Sequence, residues 1–158
     1  MDGVVLPHGY LSRLPHVDLF TDRWVCVVSA DNDDVGDRLT LDELAAMPMV
    51  LTHWQGSASD VPAARQLSMR GVQPNVVLVA ESFLALPFLV SGTDRVGLVH
   101  ERLARRVAAA ADVRVLPCPF DAAPVVEALW WHPMHDRDPG HRWLRAVFAD
   151  VAGHLPAI

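Results

Sequence analysis

The sequence predicts an α/β fold in which a mostly parallel sheet is covered by helices. Three observations carry that prediction. Short β-branched, apolar runs alternate along the chain with segments of helical periodicity. Some of these runs are continuously apolar, as strands buried on both faces are. Helix punctuation, in the form of N-caps, early prolines and stopping glycines, falls between them at spacings that suit strand–helix–strand crossovers.

Taken in order, Asp2–Leu6 reads as a short strand closed by Pro7. A loop containing Pro, His and Gly leads to Leu19-Phe20 and then to the strand Arg23–Ser29, apolar almost throughout. Asp31–Asp37 (DNDDVGD) is an exposed acidic turn without the spaced ligands and closing Glu of a calcium loop. Thr40 and Glu43 form a capping box that opens a short helix ending before Pro48. Met49–Thr52 is a strand, and His53–Asp60 is a polar loop beyond it. Asp60 caps a helix that Gly71 stops. Asn75–Ala80 is again a strand, followed by Glu81, a capping Ser82 and the apolar helix Phe83–Val90. Arg95–Val99, Val113–Leu116 and Val125–Trp131 are strands, with the helix Glu101–Ala111 between the first two. In the last helix Asp138 is the N-cap and Pro139 the first position. There Trp143, Leu144, Val147, Phe148, Val151 and Leu155 predict the packed face, leaving Arg142, Arg145 and Asp150 in water.

Composition narrows the function. The 158 residues are 51% hydrophobic and 20% charged, an ordinary globular balance. All 13 basic residues are Arg, and the formal charge is −6. Nucleic-acid binding takes most of its affinity from phosphate neutralisation, so this chain is not expected to grip DNA or RNA itself. Cys26 and Cys118 lack CxxC spacing and read as reduced thiols. No signal peptide is visible, and the longest apolar run, Phe83–Val90, is far short of the ~20 residues that span a bilayer. A cytoplasmic protein without membrane contact is expected.

Motifs for chemistry are sparse. There is no GxSxG elbow, no P-loop and no GxGxxG. His132, His135, Asp136, Asp138 and His141 lie within ten residues, but their spacing matches no zinc signature and Asp138 is committed as a cap. They read as a polar connector, so no catalytic residue, metal ion or cofactor is assigned. Ligands of open α/β folds sit beyond the carboxyl ends of strands. That rule singles out Pro7–Tyr10, His53–Ser59 and Glu81–Phe83. The candidate ligand-binding residues are Pro7, His8, Thr52, His53, Trp54, Gln55, Ser57, Glu81, Ser82 and Phe83, a mixture of apolar surface and orienting polar groups.

The ordered set of segments resembles the effector-binding domain of LysR-type transcriptional regulators, in wording closest to the nodulation-regulator-like branch. The resemblance rests on Leu19–Val28 (LFTDRWVCVV), Leu39–Ala45 (LTLDELA), Glu81–Val99 (ESFLALPFLVSGTDRVGLV), the strand Ala128–His132 and the closing amphipathic helix. It implies a type 2 periplasmic-binding-protein-like fold, with one complete subdomain at 20–100. Part of the other subdomain is implied at 1–19 and 101–158, each including a crossover. It also implies a small-molecule effector in the inter-subdomain cleft, coupled to the state of a homo-oligomer. An aromatic effector fits Trp54, Phe83 and Phe88. The family's winged helix-turn-helix, its linker helix and the opening units of its first subdomain have no counterpart in these residues. The chain therefore reads as N-terminally truncated, with DNA reached only through a domain absent from it. Self-association through the uncovered flank is expected. A solute-binding protein of the same fold, and a metal-dependent enzyme using His132, His135 and His141, are the alternatives.

Overall fold

The computed structural model describes residues 2–52 and 62–158. The chain divides into two units, one formed by Met1–Asp22 with Pro124–Ile158 and the other by Arg23–Ala123.

The first unit holds the strands β1 (Gly3–Pro7) and β2 (His16–Asp22) near its start. Strand β8 (Val125–Trp131) and the long helix α5 (Pro139–Gly153) lie near its end. Strand β8 is central, with β1 and β2 antiparallel on either side of it. His16–Asp18, expected in a loop, are therefore strand residues. Their polar side chains alternate with Val17 and Leu19, a pattern that suits a strand with one face open. A single 3-10 turn, Pro133–His135, joins β8 to α5. Helix α5 starts as the sequence predicts, with Asp138 Oδ1 accepting from the His141 amide at 2.7 Å.

Its packed face differs from the expected one. Trp143, Val147 and Val151 are exposed, whereas Leu144, Arg145 and Phe148 are half-buried. The apolar stripe of α5 is wider than the surface that covers it among the described residues. Arg145 takes a place in the packed face because its guanidinium finds partners there. It lies 4.4 Å from the Trp131 ring centroid and donates to the carbonyls of His135 and Asp136 at 3.3 and 3.1 Å.

The second unit contains β3 (Trp24–Ser29), α1 (Leu41–Ala46), β4 (Pro48–Thr52), α2 (Pro62–Ser68) and β5 (Asn75–Ala80). It continues with α3 (Leu86–Val90), β6 (Val96–His100), α4 (Glu101–Ala111) and β7 (Val113–Pro117). The five strands form one sheet in the order β5-β4-β6-β3-β7. Strand β4 is parallel to β5 and β6, but β3 is antiparallel to both β6 and β7. The expected mostly parallel sheet is thus corrected. Strand β3 is reversed between its neighbours, and among the described residues the first unit is antiparallel throughout and only two strand pairings are parallel. Continuous apolarity reports burial on two faces and carries no information on direction.

Burial across this sheet follows the sequence closely. Every residue of β3 is buried, and Val25, Val27, Val50, Leu86, Val90 and Val99 belong to one core cluster. The Thr40–Glu43 capping box forms in full, with the Thr40 amide donating to Glu43 Oε2 at 2.7 Å and the Glu43 amide donating back to Thr40 Oγ1 at 3.2 Å. Helix α3 begins later than expected. Ser82 is not its cap; Ser82 O accepts from the Ala85 amide in a preceding turn, and Pro87 sits in the first turn, where a missing N–H costs nothing.

Candidate functional site

The carboxyl ends of the parallel strands gather the candidate residues of the second unit. Thr52 closes β4 and is in register with Ala80, the last residue of β5, so Glu81, Ser82 and Phe83 emerge beside it. Thr52 is buried, and its Oγ1 has no hydrogen-bond partner among the described residues. A buried hydroxyl left unpaired costs free energy, so this is a position where an orienting contact is wanted. Glu81 and Ser82 are exposed and Phe83 is half-buried.

An aromatic wall stands on the same edge. The Phe83 ring stacks on His100, the last residue of β6, with centroids 5.0 Å apart and planes at 27°. His100 in turn meets Trp24 edge-on at 4.7 Å. Trp24 begins β3, and its antiparallel register places it opposite His100. The reversal of β3 is what brings an amino-terminal strand residue to an edge otherwise made of carboxyl ends.

Next along this edge is a charged cluster. Glu101, the first residue of α4, has its side chain only 3% exposed. It accepts a bidentate pair of hydrogen bonds from Arg23, through Nε and, at 3.1 Å, through Nη2. Arg105, one helical turn on, donates from Nε at 2.8 Å. The Arg23 hydrogen bonds, followed by those of Arg105, hold the Glu101 carboxyl below its ordinary pKa against the opposing effect of burial. A cavity of about 610 Å³ opens here, lined by Arg23, Trp24, Glu101, Arg105, Cys118 and Phe120 among others. Cys26 and Cys118 are both free. The hydrogen bond between the two sulfurs pushes the Cys26 thiol well up and the Cys118 thiol down.

The structure sorts the sequence-predicted residues into three groups. Thr52, Glu81, Ser82 and Phe83 come together at the strand ends of the second unit. Pro7 and His8 belong to the first unit, at the end of β1. His53, Trp54, Gln55 and Ser57 lie outside the described residues. Sequence reasoning missed Arg23, Trp24, His100 and Glu101. His100 ends a strand and was open to the carboxyl-end rule, whereas Trp24 and Arg23 depend on the direction of β3.

Residues His132–Asp138 join β8 to α5, and His141 lies buried in the first turn of that helix. His132 Nδ1 accepts from the Met134 amide at 3.2 Å, His141 Nε2 bonds the Asp2 carbonyl at 2.7 Å, and His141 Nδ1 faces Arg145 at 3.1 Å.

Comparison with known proteins gives a consistent result. The family profile "LysR substrate binding domain" matches residues 3–153. Nodulation protein D 2 of Rhizobium tropici is 27% identical over 152 residues, covering 96% of this chain and 48% of that protein. The HTH-type transcriptional regulator SyrM of Rhizobium meliloti is 33% identical over 146 residues, covering 92% and 44%. The chain thus spans about half the length of the curated relatives it matches. Among solved structures, a probable transcriptional regulator from Pseudomonas aeruginosa superposes with a TM-score of 0.84 at 28% identity, covering 95% of this chain and 49% of that one. The regulatory domain of MexT, a transcriptional activator from the same organism, gives 0.78 at 26%, covering 95% and 72%.

Proposed function

This chain belongs to the LysR substrate-binding-domain family, with its type 2 periplasmic-binding-protein-like α/β fold, and on that premise we propose that it is the effector-sensing part of a transcriptional regulator. It takes a small-molecule inducer at the carboxyl ends of the strands of the second unit and couples binding to oligomeric state. It contacts DNA only through a domain outside these residues, performs no catalysis, and works in the cytoplasm. Among the described residues no helix is long and apolar enough to cross a membrane.

The observation that carries this reading is the Thr52 hydroxyl, buried and unpaired among the described residues, on the strand-end edge that also carries the rings of Phe83, His100 and Trp24. One orienting polar group against apolar area is how a small flat ligand is recognised. The wall favours an aromatic inducer, and the charge of Arg23 and Arg105 favours an acidic one. Self-association is supported by Trp143, 68% exposed, which shares one face of α5 with the exposed Val147 and Val151.

A thermal-shift panel of small aromatic acids and flavonoid-like compounds tests the reading. At least one compound is expected to raise the melting temperature in a dose-dependent way, and Thr52→Val and Phe83→Ala are expected to abolish that rise. A panel without any shift, or a shift that survives both substitutions, contradicts it.

A further inference from the structure

We propose that His8, His16 and Asp18 form a binding site for a divalent transition-metal ion on the first unit. The backbone builds it. His16 and Asp18 are two apart on β2, so their side chains leave the same face. Leu6, Ala128 and Asp18 lie abreast across β1, β8 and β2, and His8 follows Leu6 by two positions, which returns it to that face. The His8 amide still pairs with the Val126 carbonyl at 3.0 Å, so the ladder holds its direction. Ala128, lying between the outer strands, has no side chain beyond Cβ, and His8 and Asp18 meet over it.

The donor atoms converge. His8 Nε2 is 2.6 Å from Asp18 Oδ1, and His16 Nε2 is 3.9 Å from the same oxygen. One ligand atom from each of the three residues falls within 4.8 Å of the others. Metal–ligand bonds of about 2.0–2.2 Å need ligand separations of roughly 3–3.5 Å in a tetrahedral site, so the shortest pair must open and the wider pairs close by up to about an ångström. Small rotations about the side-chain torsions make up that difference.

Two features orient the imidazoles toward a metal. His16 Nδ1 lies 3.3 Å from the Leu14 carbonyl. With the proton on Nδ1, the Nε2 lone pair faces Asp18, which is the tautomer that a ligating histidine adopts when its other nitrogen bonds a carbonyl. Both rings also rest on Trp130, at 4.2 Å for His16 and 5.3 Å for His8. Trp130 is itself fixed by its indole N–H to the Leu6 carbonyl at 2.8 Å. Two imidazoles and a carboxylate, exposed on one side, offer three ligands and leave the other positions to water. Nitrogen-rich donors of this kind select zinc, nickel, cobalt or copper over magnesium or calcium.

The test uses the untagged chain, stripped with a chelator, and titrates zinc by calorimetry and cobalt(II) by visible absorption. One equivalent of zinc is expected to bind, with a cobalt d–d band of the intensity of four- or five-coordinate sites. His8→Ala and Asp18→Asn are each expected to weaken zinc at least tenfold and to remove the band, with the far-ultraviolet circular dichroism unchanged. His154→Gln, which removes an exposed histidine elsewhere, is expected to change nothing. Absence of stoichiometric binding, or binding and a cobalt band that persist in both His8→Ala and Asp18→Asn, overturns the proposal.

Discussion

Glu101 and Arg23, 78 positions apart in sequence, form a bidentate ion pair in which the carboxylate is buried and the guanidinium remains largely in water. The Glu101 amide also donates to the Arg23 carbonyl at 2.9 Å, so backbone and side chain join the start of β3 to the start of α4. The pair fixes one wall of the cavity and holds two arginines beside it.

Glu101→Gln is expected to destabilise the chain by about 1–2 kcal/mol at pH 7, at the low end for charge-assisted hydrogen bonds because both arginines stay solvated. The folded pKa of Glu101 is lowered. Its stabilisation is therefore present above the unfolded carboxylate value of about 4.3 and is lost as pH falls through the lower folded value. Urea denaturation of both proteins should give curves that differ at pH 7 and converge in acid.

Gly97→Ala tests the packing of α3 on the sheet. A Cβ at Gly97 would lie 2.2 Å from Leu86 Cδ2 and 3.1 Å from Leu86 Cγ, and Leu86 is fully buried. Overpacking of this kind costs about 1–3 kcal/mol, to be read as a lower urea midpoint. Combining it with Leu86→Ala should recover part of that loss relative to the sum of the single changes.

Glu127→Gln is expected to act in the opposite sense to Glu101→Gln. Burial, reinforced by the charge of Asp22, raises the Glu127 pKa. An acid with a raised folded pKa favours the native state when protonated, and that contribution is lost as pH rises through the folded value. The neutral amide should therefore raise the melting temperature at pH 7, with the advantage disappearing below the carboxylate range.

The two thiols should differ in reactivity. Cys118 is half-buried with its pKa drawn down, whereas Cys26 is buried with its pKa raised. Alkylation of the native chain by iodoacetamide should reach Cys118 faster by about tenfold or more, since the thiolate is the nucleophile. Peptide mapping after partial labelling reads the ratio, and Cys118→Ser should leave the folded chain almost unlabelled.

How much of this was legible depends on the range of the interaction concerned. The Thr40–Glu43 capping box, the Asp138 N-cap and the buried run of β3 are decided within a few residues, and the sequence shows each of them. The direction of β3 is decided by its neighbours, so the placement of Trp24 opposite His100 was not legible. The carboxyl-end rule pointed to Glu81, Ser82 and Phe83 and was open to His100 and Glu101 at the end of β6, whereas Arg23 and Trp24 reach that edge only through the reversed strand. On α5 the apolar periodicity predicted a helix, but which part of a wide stripe is covered depends on Arg145 and Trp131. His8, His16 and Asp18 straddle a loop, and only the pairing of β1 and β2 with β8 brings them together.

The central claim is that the strand-end edge of the second unit receives the effector. Backbone amide chemical-shift mapping of the isotopically labelled chain, titrated with the aromatic acid that gives the largest thermal shift, tests it most directly. The largest perturbations are predicted at Thr52, Ser82, Phe83, His100 and Glu101. Perturbations confined to α5 or to the Asp31–Asp37 turn, with those five amides unmoved at saturation, would contradict it.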